Sequence, residues 1–176
     1  MSRVITPGAA LGVLGSGQLG RMFAIAARRM GYRVHTFSPE TDSPAGQTAD
    51  VEVVASYEDL DAHRTFARQV QVVTFEFENV PDKTAHFLTA HVPVAPNVRS
   101  LAIAQDRFLE KRFVSGLGIA TAPFRDVTSE TAAKDAFAAL GGPAVLKTRR
   151  LGYDGKGQQK VVSTEDCARA FAAMGG

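Results

Sequence analysis

Leu11-Gly12-Val13-Leu14-Gly15-Ser16-Gly17-Gln18-Leu19-Gly20-Arg21-Met22 is a short apolar run that passes directly into a G-x-G-x-x-G turn and then a helix. Strand, glycine turn and helix in that order open a βαβ unit. The glycines permit a tight turn and let the backbone approach an anion. The helix start adds free N–H groups and the positive end of its dipole. Leu19, Met22, Phe23, Ala26 and Met30 recur at helical spacing and read as the apolar face of that helix, which Gly31 ends.

Working outward, Val34-His35-Thr36-Phe37, Val51-Glu52-Val53-Val54 and Val72-Val73-Thr74-Phe75 read as further strands. Leu60, His63, Ala67 and Val70 form the inward stripe of a helix between the last two. Strands alternating with helices imply a parallel sheet. A helix follows from Pro81 to His91, then an extended stretch from Val92 to Pro96. The first domain is therefore placed at 1–100, with the second at 101–176. In the second, a helix spans Gln105 to Leu117 with Leu109, Phe113 and Leu117 on one face, and Ala120 to Phe124 is extended. A second helix runs from Thr128 to Leu140. Ala144 to Thr148 is a strand, Arg149 to Gly157 a loop and Gln159 to Val162 the returning strand. Thr164 caps a last helix through Cys167, Phe171 and Met174.

The first glycine turn can hold a phosphate, but the pattern does not say whose. A dinucleotide site expects an acidic residue near the end of the second strand. Here that position falls around Ser38, and Glu40 lies beyond Pro39. A dinucleotide, another phosphate ligand and a purely structural turn all remain open at this point. Glu76 and Glu78 end the fourth strand two residues apart, so in extended chain they share a face at the ligand edge of the sheet. A paired-carboxylate acid/base role and an exposed strand end are the other readings, with hydrogen bonding to a polar ligand favoured over both. No His or third carboxylate stands close enough in sequence to suggest a metal.

The second glycine-rich segment is Val145-Leu146-Lys147-Thr148-Arg149-Arg150-Leu151-Gly152-Tyr153-Asp154-Gly155-Lys156-Gly157-Gln158. It lacks the Gly-Lys-Ser/Thr that leads a P-loop into its helix. It reads as a flap between two strands, able to close over a polyphosphate, with Lys147 pairing a phosphate oxygen as a point charge. Lys147, Arg149, Arg150, Lys156 and Lys160 crowd this stretch, and Asp154 is the opposing acid within it.

Composition bounds the rest. The 176 residues are 45% hydrophobic and 22% charged, with a net charge of +2, ordinary values for a globular protein. That balance gives no reason to expect a nucleic-acid or membrane partner. Cys167 alone excludes an internal disulfide framework. No apolar run is long enough to span a bilayer, and the start lacks a signal-peptide core, so a cytoplasmic protein is expected.

Four stretches together resemble the ATP-grasp superfamily and, within it, the 5-(carboxyamino)imidazole ribonucleotide synthase family. They are Gly15 to Met22, Thr74 to Pro81, Gln105-Asp106-Arg107 through Lys111, and Lys147 with Gly152 to Gln158. The resemblance implies a Rossmann-like pre-ATP-grasp domain followed by the first part of an ATP-grasp domain. It implies ATP-dependent carboxylation of aminoimidazole ribonucleotide with bicarbonate, through carboxyphosphate, in purine biosynthesis. It places Arg107, Lys147, Gly152, Tyr153, Asp154, Gly155, Lys156, Gly157 and Gln158 at ATP. Gly17, Gln18, Leu19 and Glu76 fall around the ribonucleotide, and Tyr153, Asp154 and Lys156 in catalytic positions. Leu151 and Lys156 depart from the family's commoner glycine and arginine.

The family extends well past residue 176, and its Mg²⁺ ligands and adenine hinge lie there. The chain is thus expected to be an amino-terminal fragment, without a metal site of its own and inactive alone. A homodimer is implied by the family only. The alternatives are a formate-dependent glycinamide ribonucleotide formyltransferase, against which Gln18 argues, and a NAD-binding oxidoreductase, which would leave the second loop unexplained.

Overall fold

The computed structural model describes residues 4–152 and 155–175, which divide into two compact units, 1–102 and 103–176. The first unit is α/β. Strands β1 (Ala10–Leu14), β2 (Arg33–Ser38), β3 (Val51–Val54) and β4 (Val72–Phe75) form a fully parallel sheet in the order β3-β2-β1-β4. Its helices are α1 (Gln18–Arg29), α2 (Leu60–Ala67) and α3 (Asp82–Thr89), and α4 (Val98–Ala104) follows at the unit boundary. The chain leaves the central strand β1 toward β2 on one side and returns at β4 on the other. The carboxyl ends of β1 and β4 thus form a topological switch point, where open α/β sheets place their ligands.

Alternation along β1 supplies both faces of the core. Leu14 packs with Phe37, Phe66, Val73 and Leu88 on one side, and Val13 with Ala24, Ala27 and Val34 on the other. The helix face differs from the sequence expectation. Leu19, Met22 and Met30 are 61, 59 and 67% exposed, while Gly20, Ala24 and Ala27 are buried. Small residues at i, i+4 and i+7 let α1 lie close against the sheet, and the larger apolar side chains are turned away. Of the stripe expected around α2, His63 and Ala67 are buried on the helix and Val70 just beyond its end, but Leu60 is exposed.

Between β2 and β3 the chain folds back through a loop rather than a helix. Glu52 organises it by accepting from the Ser43 hydroxyl (2.5 Å), the Ser43 N–H (3.0 Å) and the Asp42 N–H (3.2 Å). The folded loop carries fully buried Ala45 to the glycine turn, where its N–H donates to the Ser16 carbonyl at 2.9 Å.

The second unit holds α5 (Arg107–Gly116), α6 (Glu130–Leu140), the antiparallel pair β5 (Ala144–Lys147) and β6 (Gln158–Val161), and α7 (Thr164–Ala173). Ala133, Val161, Cys167 and Ala170 form its core, with Phe137, Leu146 and Phe171 packed against it. Side-chain caps start the helices where polar residues precede apolar patterns: Asp106 for α5, Ser129 for α6 and, for α7, Ser163 in place of the expected Thr164, which is the first helical residue while the Ser163 hydroxyl takes the Asp166 N–H. Each such cap stabilises by about 1 kcal/mol. The helix expected from Gln105 to Leu117 is present as α5, two residues later at its start and capped by Asp106, and α4 precedes it as a helix not expected from the sequence; Leu109 and Phe113 on α5 and Leu117 at its end are exposed. Residues 120–124 lie outside the named strands. No helix among the described residues is long and apolar enough to cross a membrane.

Candidate functional site

The first unit contributes the turn from Gly15 to Gly20. β4 ends at Phe75, one ladder step before the acidic residues, and 76–79 is a turn. The expected common face of Glu76 and Glu78 on a strand is therefore lost: Glu78 is exposed, and Glu76 points back. The Glu76 N–H still donates to the Leu14 carbonyl at 3.1 Å, which anchors this residue to the end of β1. Its carboxylate accepts from the backbone N–H of Gly17 through Oε1 and of Gly20 through Oε2. Among the predicted ribonucleotide residues, Gly17 and Glu76 are thus bonded to each other, while Gln18 and Leu19 stand exposed at the start of α1. Partly buried Tyr57 lies near this edge. Burial, with the negative charges of Glu76 and Glu40, pushes its phenol well above the ordinary range, so it stays protonated.

The second unit assembles a hollow of about 170 Å³ from Arg107, Lys147, Thr148, Gly152, Gly155, Lys156, Gly157 and Gln158. Lys147 ends β5 opposite Gln158 of β6, so the intervening loop starts and ends at one place. The Thr148 N–H donates to the Gly157 carbonyl at 2.8 Å and fastens the base of the loop. Gly157 has φ +65°, and a Cβ there would overlap the Thr148 hydroxyl, so this closure requires glycine. Tyr153 and Asp154 lie outside the described residues.

Arg107 reaches the same hollow from 40 positions away, and the pairing that brings it there, Asp106 with Arg149, joins two residues that the sequence named but did not link. Asp106 caps α5 by accepting from the N–H groups of Phe108 (3.0 Å) and Leu109 (3.1 Å). It also takes a two-pronged bond from Arg149, Nε at 3.1 Å and Nη2 at 2.6 Å. The Arg107 N–H in turn donates to the Arg149 carbonyl at 2.9 Å. Arg149 lies over the Phe108 ring and 3.6 Å from Asp126 as well. The basic stretch is therefore opposed by Asp106 and Asp126, which the local sequence did not reveal, and Arg149 is a clamp rather than a ligand-facing cation. Burial works to raise the Asp106 carboxyl, but the Arg149 bond and the α5 amides outweigh it and hold it below its ordinary value. An aspartate immediately before a helix was the available signal for the cap; nothing local pointed to Arg149.

A larger cavity of about 800 Å³, bordered by Phe108, Phe124, Phe137 and Leu146, shares Arg107, Lys147 and Thr148 with this hollow. Among the described residues no three His, Cys, Asp or Glu side chains converge to hold a metal ion.

A Rossmann-like sheet followed in the chain by a basic hairpin with a glycine loop is the architecture of an ATP-grasp protein. The profile of the ribonucleotide synthetase preATP-grasp domain matches residues 9–105, and that of the ATP-grasp domain matches 112–176. The chain belongs to the ribonucleotide synthetase preATP-grasp family. It is 45% identical over 172 residues to the N5-carboxyaminoimidazole ribonucleotide synthase of Brucella melitensis biotype 1, an alignment covering 97% of this chain and 48% of that protein. The crystal structure of the ADP complex of purK, N5-carboxyaminoimidazole ribonucleotide synthetase, superposes with a TM-score of 0.92 at 41% identity, over 99% of this chain and 46% of the other. The Aspergillus clavatus N5-carboxyaminoimidazole synthase, solved with ADP and 5-aminoimidazole ribonucleotide, gives a TM-score of 0.81 at 27% identity, over 94% and 44%. The chain spans about half the length of these relatives.

Proposed function

We propose that this chain carries the phosphate loop and part of the ribonucleotide site of an ATP-dependent N5-carboxyaminoimidazole ribonucleotide synthase. The observation that carries the reading is the hollow in which Arg107 and Lys147, distant in sequence, meet the glycine loop of the β5–β6 hairpin. Its size and donor set suit phosphate oxygens, and the relatives named above include structures with ADP and with ADP plus the ribonucleotide.

In the proposed reaction a bicarbonate oxygen takes the terminal phosphoryl group of ATP, giving carboxyphosphate and ADP. The amine of aminoimidazole ribonucleotide then attacks the carboxyl carbon, a proton leaves the nitrogen, and phosphate departs. Lys147 and Arg107 hold phosphate oxygens by charge-assisted bonds, Lys147 as a point charge and Arg107 as a planar fork. The loop from Gly152 to Gln158 supplies N–H donors and excludes water when closed. Lys156, Tyr153 and Asp154 are assigned to the reacting groups, and Gln18 and Leu19, with Gly17 and Glu76 behind them, to the ribonucleotide. ATP acts with Mg²⁺, which neutralises phosphate charge; the described residues do not form a site for it, and no role here depends on one. The same reading makes the enzyme a cytoplasmic homodimer.

The test is phosphate release from ATP by the polypeptide that carries this chain. Release is expected when aminoimidazole ribonucleotide and bicarbonate are both present, and to fall to background when either is omitted. Equal release with glycinamide ribonucleotide and formate would reassign the substrate. Failure of this chain to bind ADP at all would remove the phosphate loop from the proposal.

A further inference from the structure

We propose that Glu76 is the resident anion of the β1–α1 turn, so that the G-x-G-x-x-G pattern here accommodates an internal carboxylate and excludes a ligand phosphate. Both carboxylate oxygens are engaged, one by the Gly17 N–H and one by the Gly20 N–H. These are the donors at the start of α1 that a bound phosphate would need.

The glycines themselves point the same way. At Gly15, whose φ is +104°, an added Cβ would overlap the Glu76 side chain. At Gly17 it would stand 3.0 Å from Oε1, and at Gly20 3.1 Å from Oε2. All three positions of the motif are thus shaped around one side chain. That side chain comes from a rigid place, because its backbone continues the β1–β4 ladder. Ala45 closes the other side, 3.2 Å from the Cβ position of Gly20. A second anion in the same space would lie within about 4 Å of the carboxylate, where like charges repel strongly in a partly buried setting.

The consequence concerns specificity. A dinucleotide diphosphate is refused here, which accounts for a Rossmann-like sheet without an acidic ribose-binding residue at Ser38. If a ribonucleotide approaches this turn, it meets exposed Gln18 and Leu19, and its phosphate is held by other groups. The inference rests on the geometry of this turn alone, so a failed carboxylation assay would leave it standing.

The experiment follows the Gly17 and Gly20 amide resonances of the ¹⁵N-labelled chain during titration with inorganic phosphate and, separately, NADH. The wild-type resonances are expected not to respond saturably to either. In Glu76→Ala they should respond to phosphate, with apparent affinity at least tenfold above wild type. Saturable movement of both amides in the wild type would overturn the proposal. So would a folded Glu76→Ala chain, verified by circular dichroism, whose amides ignore phosphate. The wild-type titration decides by itself if the alanine variant does not fold. Glu76→Gln then adds a second reading, since an amide offers one carbonyl oxygen for two donors. One of the two glycine N–H protons should shift upfield and exchange faster, and unchanged amides would contradict the assignment.

Discussion

The two glycine loops solve opposite problems with the same residue. In the turn after β1, glycine makes room for a carboxylate that enters from another strand, and the backbone donors are consumed inside the unit. In the hairpin between β5 and β6, glycine closes the base of a loop around a hollow edged by Lys147 and Arg107. The first loop resembles an anion site in sequence and is already filled; the second lacks a standard phosphate-loop pattern and presents cations. A glycine motif therefore reports that something approaches the backbone closely. It does not report whether the visitor is a ligand or the chain itself.

The contrast can be broken most forcefully at Gly15. Gly15→Ala places a side chain at φ +104° and displaces Glu76. The expected loss is about 3 kcal/mol of stability, read from urea denaturation, with ADP binding by the second unit retained. A loss below ~0.5 kcal/mol would mean that the turn is not shaped around Glu76.

Next in size is the clamp behind the second loop. Asp106→Ala removes the α5 cap and the partner of Arg149, and should cost about 2 kcal/mol. Nucleotide affinity should fall as well, because Arg107 loses its anchor. In the Asp106→Ala/Arg149→Ala double variant the two losses should not add, since both break one contact. Simple additivity in a denaturation cycle would show that the two residues act separately.

Lys147→Ala should lower ADP affinity by roughly 1.5–3 kcal/mol, the worth of a charge-assisted bond. Its stability should stay within about 0.5 kcal/mol of wild type, because Lys147 is exposed. Unchanged affinity by calorimetry would take Lys147 out of the phosphate site.

The smallest effect is acid dependence. The folded Asp106 carboxyl titrates below its unfolded value because the bonds to Arg149 and the α5 amides outweigh burial. Its contribution is therefore complete above the unfolded value near ~4 and is lost as pH falls through the folded one. Asp106→Asn should flatten the decline of melting temperature below about pH 4, and an unchanged decline would assign the acid limb to other carboxylates.

Much of this architecture is legible along the chain. Alternating strands and helices announce the parallel sheet, and the start of the last helix is placed within one residue, at Thr164 where Ser163 is the cap. Other features are not legible, for identifiable reasons. The α1 face was misread because large apolar residues dominate a periodicity, whereas the buried stripe is Gly20, Ala24 and Ala27. α4 was missed because seven residues between a proline-rich stretch and Asp106 carry too little pattern, although Leu101 is fully buried. The expected strand at Glu76 to Asn79 gave way to a turn because the bonds to Gly17 and Gly20 draw Glu76 back.

Local chemistry was enough to set the order of strands and helices apart from α4, the two glycine turns and the basic character of the second. Partner choice across the chain was decided by folding: Glu76 meets amides 59 and 56 positions earlier, and Arg149 meets an acid 43 positions earlier. Periodicity and capping act over a few residues, whereas such pairings exist only once strand order and register bring distant backbone together.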